Sequence, residues 1–195
     1  LPPHLEPALR QATIHEIQPV MVVHTETAPG VTSDIGAVRK AIAAAGHPAL
    51  LFVDGVSSIG SLPFYADEWK VDCAIAGSQK GLMLPAGLGV ICISPKALKA
   101  SEALRGNNDR LAHVYFDWQD MMKQNPAGYF PYTPSVPLPY GLRQALPCLL
   151  DERLANVHHR HPVPGAATRP AVAARGLQPP ATAPHCPPHP PPPRV

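Results

Sequence analysis

Two short apolar stretches, each of which stops at a polar residue, limit most strongly what this chain can fold into. The first, residues 50–53, is followed by Asp54, and the second, residues 73–76, is followed by Gly77 and then by Lys80. Four or five apolar residues bounded by small and polar ones are typical of a strand buried in a sheet. Open α/β sheets bind ligands beyond the carboxyl ends of their strands, so this pattern predicts a site there.

Lys80 is the candidate nucleophile of that site. A partly desolvated lysine loses its proton more easily and can form a Schiff base with a carbonyl cofactor. Asp54 would supply the carboxylate that pyridoxal phosphate requires against its pyridine nitrogen. Taken alone, each residue has a simpler interpretation, Lys80 as a solvated loop residue and Asp54 as a turn or cap residue. Their matching positions after two apolar stretches favour the cofactor interpretation.

Several longer blocks resemble one family, the class V aminotransferases. These blocks are VHTETAPGV at 23–31, FVDGVSSIG at 52–60, GSQKGLMLPAG at 77–87, GYFPYTP at 128–134 and YGLRQAL at 140–146. They follow in unbroken order, and the resemblance covers residues 19–157. It implies an α/β fold, namely part of the large PLP-binding domain of a fold type I aminotransferase, with a mainly parallel sheet and flanking helices.

The same resemblance implies the residues of the site. It makes Lys80 the catalytic Schiff-base lysine and Asp54 the partner of the pyridinium nitrogen of pyridoxal 5'-phosphate. The further cofactor-binding residues that it implies are Val56, packed on the ring; Thr27, near the phenolic oxygen; Gln79, directly before the lysine; and Thr133, which would reach the phosphate of a neighbouring subunit in a homodimer.

Within the family, the blocks are most similar to the branch that uses glyoxylate. The implied reaction moves the amino group of serine to glyoxylate and gives hydroxypyruvate and glycine. Alanine as the amino donor and desulfuration-like chemistry both remain open. So does a non-catalytic, truncated product, because no segment before residue 19 matches the phosphate-binding loop or the ring-stacking aromatic residue that the family carries.

The order of elements predicts one partial domain and a tail. Strands are expected at 19–24, 50–54, 73–76 and 88–94, and helices at 35–45, 96–104, 117–123 and 137–157. Residues 1–157 would form the partial large domain with the start of the linking helix region. Residues 158–195 are expected to be a disordered tail, since many of the 27 prolines lie there, including a run at 190–193.

The charge and the thiols exclude several other classes of protein. A net charge of +2 is too small to predict a nucleic-acid or membrane partner. Three of the four cysteines lie in apolar patterns, which predicts buried free thiols and a reducing compartment, the cytoplasm or the peroxisome of a plant-like eukaryote; no targeting signal is visible. The histidines at 158–161 and 185–189 lack the spacing of zinc ligands, so no metal site is expected.

Overall fold

The computed structural model describes residues 4–12, 19–105 and 115–177. The helices there are α1 (Leu5–Gln11), α2 (Ile35–Ala44), α3 (Pro95–Arg105), α4 (Trp118–Gln124), α5 (Pro137–Glu152), α6 (Leu154–Arg160) and α7 (Pro162–Ala174). The strands are β1 (Pro19–Val23), β2 (Thr25–Glu26), β3 (Val31–Thr32), β4 (Leu50–Asp54), β5 (Cys73–Gly77) and β6 (Gly89–Ile93).

Four of these strands form one mixed sheet in the order β1-β4-β5-β6. Strands β1, β4 and β5 run parallel, and β6 returns antiparallel beside β5. The register pairs Val23 with Asp54, and Asp54 with Ile75. The carboxyl ends of the three parallel strands therefore meet at one end of the sheet, which is called the carboxyl end below. The predicted α/β class with a mainly parallel sheet is confirmed.

One face of this sheet is covered by α2. Asp34 caps the helix, because its Oδ1 accepts a hydrogen bond from Ala37 N at 2.8 Å. The apolar side of α2, formed by Ile35, Val38 and Ile42, is buried against Leu51 and Val53 of β4. Complete burial of such side chains is worth about 1.5–3 kcal/mol each, so α2 fixes the position of the central strand.

The other face of the sheet is open within the described residues. Met21, Ile75 and Ile91 lie on it with exposed fractions of 74%, 37% and 39%. Asp54 lies on the same face, since it pairs with Ile75 in register. The candidate site is thus on the uncovered side of the sheet.

A buried carboxylate joins the strands at the end opposite the carboxyl end. Asp72 accepts hydrogen bonds from Leu51 N at 2.9 Å and from Ser94 Oγ at 2.8 Å. Lys96 Nζ lies 3.8 Å from the same carboxylate and donates to Ala49 O. Because these contacts link β4, β5 and the residue after β6, they hold the sheet independently of the carboxyl end.

The structure differs from the sequence prediction beyond residue 137. The expected helix over 137–157 ends at Glu152, and Arg153, with φ of 66°, separates α5 from α6. Val157 is fully buried with Ala76 and Leu149, so turning the chain at Arg153 brings an apolar side chain into the core.

The structure differs from the expected tail over residues 158–174, where α6 continues to Arg160 and α7 follows. Pro162 and Pro164 begin α7, where backbone N–H groups have no partner within the helix in any case, so proline is tolerated there. The proline run at 190–193, together with Cys186, lies outside the described residues.

The predicted burial of the thiols is also only partly right. Cys73 is half-buried, and burial, followed by the charges of Cys92 and Asp72, raises the pKa of its thiol. Cys92 and Cys148 are exposed, because β6 is an outer strand and Cys148 lies on an outward side of α5. Among the described helices, none combines the length and the apolar character that crossing a membrane would require.

Candidate active site

The candidate site begins with two charged side chains at the carboxyl end of the sheet. Asp54 is the last residue of β4, and Lys80 lies three residues beyond the end of the neighbouring parallel strand β5. Both residues are exposed. Neither forms an ion pair with another residue of the described ranges. The sheet therefore presents a carboxylate and an amine that are free to act on a ligand.

The turn after β4 holds the Asp54 side chain by one oxygen. Asp54 Oδ1 accepts a hydrogen bond from Val56 N at 2.9 Å, and Gly55 N donates to Ile75 O at 2.9 Å. Oδ2 has no hydrogen-bond partner among the described residues. The carboxylate is thus oriented by its own turn, and one oxygen remains available.

Three further predicted residues lie beside this pair. Val56 and Gln79 approach each other over Gly77, where an added Cβ would lie 3.0 Å from Val56 Cγ1 and 2.9 Å from Gln79 Oε1. Thr27, in the β2–β3 hairpin, places its hydroxyl 2.6 Å from Ser57 Oγ in the turn after Asp54. The carboxyl end of the sheet therefore gathers five of the six predicted residues.

Thr133 is the sixth predicted residue, and it lies apart from the others. It is exposed in a surface depression that is lined by Gly128–Pro134, its own loop. The following helix α5 packs on the segment after Lys80, where an added Cβ on Gly87 would lie 2.9 Å from Leu138 Cδ1. The depression does not include the carboxylate or the amine, so the assignment of Thr133 to a neighbouring subunit stays a prediction.

The loop that carries Lys80 is fixed by a buried serine that the sequence analysis did not single out. Ser78 Oγ donates to Pro85 O at 2.7 Å and accepts from Leu88 N at 3.2 Å. The Lys80 carbonyl accepts from Met83 N at 2.9 Å. The backbone at Lys80 is therefore held in place, whereas its amine extends from an exposed side chain. The sequence signal was present, since Ser78 follows a buried strand directly.

Two glycines bring the turn after β4 against the Lys80 loop. A Cβ on Gly60 would lie 2.9 Å from the carbonyl carbon and oxygen of Gly81, and a Cβ on Gly81 would overlap the carbonyl oxygen of Ile59. Only residues without a side chain allow the two backbones to approach so closely. This contact couples the position of Lys80 to that of the turn that follows Asp54.

Replacing Gly81 by alanine is expected to destabilise the fold by about 1–3 kcal/mol, since the new methyl group meets backbone that cannot rotate away. Urea unfolding of the two proteins measures the difference. Gly89→Ala is the matched control, because a Cβ there meets nothing within 4 Å, and it should change stability by less than about 0.5 kcal/mol. Equal stability of Gly81→Ala and the parent would show that the two backbones do not pack as described.

His24, directly after β1, is a further buried polar side chain at this end. Its Nδ1 lies 2.8 Å from Ser58 Oγ, and the edges of Phe64 and Trp69 contact its ring. Burial lowers the pKa of His24, which keeps the ring neutral. His24 is therefore a packed structural residue at this end of the sheet.

We expect acid to destabilise the fold through His24. Because its pKa is lower in the folded state than the ordinary value of about 6.5, the unfolded chain binds the proton more tightly. The free energy of unfolding should therefore be constant above that value and fall as the pH decreases below it. Urea unfolding between pH 8 and pH 5 measures this, as approximate limits of the window.

The matched variant for that experiment is His24→Phe, which keeps an aromatic ring and removes the titrating group. Its stability should fall less steeply over the same window. Part of the slope should remain, because burial and the nearby His161 also lower the pKa of His158. Identical slopes in the two proteins would mean that His24 is not buried in its neutral form.

The sequence of the chain matches one protein family, and this match agrees with the geometry of the site. The family model described as aminotransferase class V matches residues 4–163. The chain belongs to the class V aminotransferase family. The family implies pyridoxal phosphate as the cofactor of its members, and the carboxylate of Asp54 and the amine of Lys80 lie at two adjacent strand ends of this chain.

Three proteins illustrate its similarities. The serine–glyoxylate aminotransferase of Methylorubrum extorquens is 76% identical over 177 residues, which are 91% of this chain and 44% of that protein. The L-aspartate–glyoxylate aminotransferase of Paracoccus denitrificans is 51% identical over 84% of this chain and 40% of its own length. The crystal structure of an alanine–glyoxylate aminotransferase from Nostoc sp. has 31% identity and a TM-score of 0.76, and the match covers 89% of this chain and 44% of that one.

These matches show how much of its relatives' length the chain spans, and the match to the Methylorubrum enzyme also covers its last helices. The chain spans less than half the length of the relatives named above. A match over 177 of 195 residues must include residues 19–177. The segment that carries α7 therefore lies within the match to the Methylorubrum enzyme.

Proposed function

We propose that the protein to which this chain belongs transfers the amino group of serine to glyoxylate with pyridoxal 5'-phosphate as cofactor. The observation that carries the proposal is the placement of Asp54 and Lys80 at the ends of adjacent parallel strands, exposed and without ion-pair partners in the described ranges. The products would be hydroxypyruvate and glycine.

The chemistry of the side chains supports pyridoxal phosphate as the cofactor. An amine for its aldehyde, a carboxylate for its ring nitrogen and a hydroxyl for its phenolic oxygen are available from Lys80, Asp54 and Thr27. The side chains of Val56 and Gln79 lie over Gly77, where the side chain of a larger residue would collide with both of them. When bound, the cofactor supplies an aldehyde that takes up the amino group and a ring that withdraws electrons from the substrate Cα.

Lys80 would act as the proton carrier. Its amine would remove the proton from the Cα of serine and later deliver a proton to the carbon of glyoxylate that becomes the Cα of glycine. This role needs an amine on a flexible side chain and a fixed backbone, which agrees with the exposed Lys80 side chain and the hydrogen bonds of Ser78 and Met83.

Asp54 would act through its charge. A carboxylate beside the ring nitrogen keeps that nitrogen protonated, which strengthens electron withdrawal from the substrate. The hydrogen bond from Val56 N to Oδ1 fixes the side chain in advance, so no reorganisation is required during the reaction.

Thr133 and the oligomeric state form a separate part of the proposal. Thr133 lies in an exposed loop depression that does not include the carboxyl end of its own sheet. A homodimer in which this loop reaches the phosphate of the second subunit would give Thr133 a function, and we propose that arrangement. Small-molecule amino acids and 2-oxo acids remain the substrates in either case.

Serine is the proposed donor because the similarity differs among relatives. The Methylorubrum relative, which is named for serine, is 76% identical, whereas the Paracoccus relative, which is named for aspartate, is 51% identical. Alanine is the donor that the sequence blocks leave open. All three amino acids therefore belong in the experiment.

The test uses a chimera, in which residues 19–177 of this chain replace the matching segment of the Methylorubrum enzyme. With pyridoxal phosphate, serine and glyoxylate, we expect hydroxypyruvate formation within about tenfold of the parent enzyme, which corresponds to about 1.4 kcal/mol in the barrier. Alanine and aspartate should react more slowly than serine. The chain alone should form no more product than free cofactor does, since Thr133 is the one phosphate contact proposed in it and no residue is assigned to grip the substrate carboxylate.

Two results would contradict this proposal. A folded chimera that prefers alanine or aspartate to serine would overturn the donor. A folded chimera that binds the cofactor on Lys80 but transfers no amino group would overturn the reaction.

A further inference from the structure

We propose that His24 and Ser58 form a positioning pair, which holds the turn after β4 and, through that turn, the loop that carries Lys80. The chemical consequence of this inference rests on the proposed function, because the pair would set where Lys80 stands relative to Asp54. Its structural content does not depend on the cofactor.

The pair is buried, and its surroundings are fixed. Ser58 is 0% exposed and His24 is 5% exposed. The 2.8 Å contact between His24 Nδ1 and Ser58 Oγ is shorter than the alternative from Ser58 Oγ to Gly55 O, at 3.4 Å. Phe64 and Trp69 contact the imidazole at centroid distances of 5.6 Å each. Removing either partner would leave a buried polar atom without its main contact, which is costly.

The contact between His24 and Ser58 joins two strand ends. His24 N donates to Asp54 O at 2.8 Å, so the backbone of His24 also contacts the end of β4. Ser58 N and Ile59 N donate to Gly55 O at 3.0 and 2.9 Å, and Leu62 N donates to Ser58 O at 2.8 Å. Ser58 is therefore the residue through which the side chain of His24 holds the whole turn.

The turn after β4 contacts the Lys80 loop through backbone atoms. Gly60 and Gly81 approach so closely that neither could carry a side chain. A displacement of the turn must therefore displace the residue next to Lys80. With the His24 ring neutral, the His24–Ser58 pair carries no charge. It therefore positions Lys80 and Asp54 without attracting either charged side chain itself.

Hydrogen–deuterium exchange on the chain, without cofactor, tests the pair. The substitutions are Ser58→Ala, which removes one hydroxyl, and His24→Phe, which keeps the ring that packs against Phe64 and Trp69. We expect exchange at the amides of Ile59 and Leu62 to become about tenfold faster, the effect of losing one buried hydrogen bond. The decisive expectation is that Met83 and Leu84, whose amides bond to the Lys80 loop, also exchange faster, while the amides of α2 do not.

Ser94→Ala is the matched control. It also removes a serine hydroxyl with hydrogen bonds to a neighbouring group, but at the opposite end of the sheet. It should accelerate exchange at Ala97 and leave Met83 and Leu84 unchanged. If Ser58→Ala is folded and the amides of Met83 and Leu84 exchange as in the parent, the positioning role is overturned. Uniform acceleration throughout the chain would overturn it as well, since a general loss of stability would then explain the data.

A second measurement separates this inference from the proposed function. In the chimera, borohydride reduction after adding pyridoxal phosphate should label Lys80, and Ser58→Ala should lower the rate of labelling about tenfold, which corresponds to about 1.4 kcal/mol. Absence of label in the unsubstituted chimera would count against the proposed function alone, and the exchange data would still decide the positioning pair. Normal labelling in Ser58→Ala would count against the pair alone.

Discussion

Lys80→Ala in the chimera is expected to abolish both amino transfer and the covalent label at position 80. The substitution removes the only group assigned to carry the Cα proton, and general acid–base catalysis by a positioned side chain contributes about 100- to 10,000-fold. Loss of the covalent attachment to the cofactor adds to this, so activity should fall to that of free cofactor. The measurement is glyoxylate-dependent hydroxypyruvate formation from serine, together with peptide mapping after borohydride reduction.

Lys99→Ala is the matched control for this experiment. Lys99 is an exposed lysine on α3, the helix that begins after β6 at the opposite end of the sheet from Lys80. Both activity and label should be unchanged in it. A label that persists at another lysine in Lys80→Ala, with activity retained, would show that Lys80 is a solvated loop residue, which is the simpler interpretation that its sequence position also allows.

Asp54→Asn is expected to lower turnover by at least about 100-fold, the effect of removing one electrostatic group from a preorganised site. Asparagine has the same shape and keeps an oxygen that can accept the hydrogen bond from Val56 N, so the turn should survive. The loss would then come from the missing charge beside the ring nitrogen. Labelling of Lys80 should still occur, because attachment of the cofactor does not need that charge.

The control for the acid is Asp67→Asn, at an exposed carboxylate whose described hydrogen bond uses its backbone carbonyl rather than its side chain. Its turnover should match the parent. If Asp54→Asn also turns over at the parental rate, the carboxylate does not face the cofactor, and Asp54 would act only as a turn residue. A loss of labelling in Asp54→Asn would instead indicate that the side chain shapes the binding site.

Local patterns were sufficient for much of the fold. The strand ending at Asp54 and the helix beginning after Asp34 were predicted correctly, because burial periodicity and caps depend on residues close in sequence. The region beyond residue 137 was predicted less well. The break at Arg153 depends on the burial of Val157 against Ala76 and Leu149, which are distant in sequence, and proline content obscured a helix whose first turn tolerates proline.

By itself, the sequence determined the elements, the class of fold and which polar residues follow the strands, since each of these is written within a few neighbouring positions. It therefore located Asp54 and Lys80 at the same end of the sheet. Only the tertiary structure decided what holds them there. The contact of Gly60 with Gly81, the bond of His24 to Ser58 and the closure of the Lys80 loop by Ser78 join residues that are seven to 34 positions apart. No local pattern specifies such partners, because their proximity arises only after the parallel strands have paired.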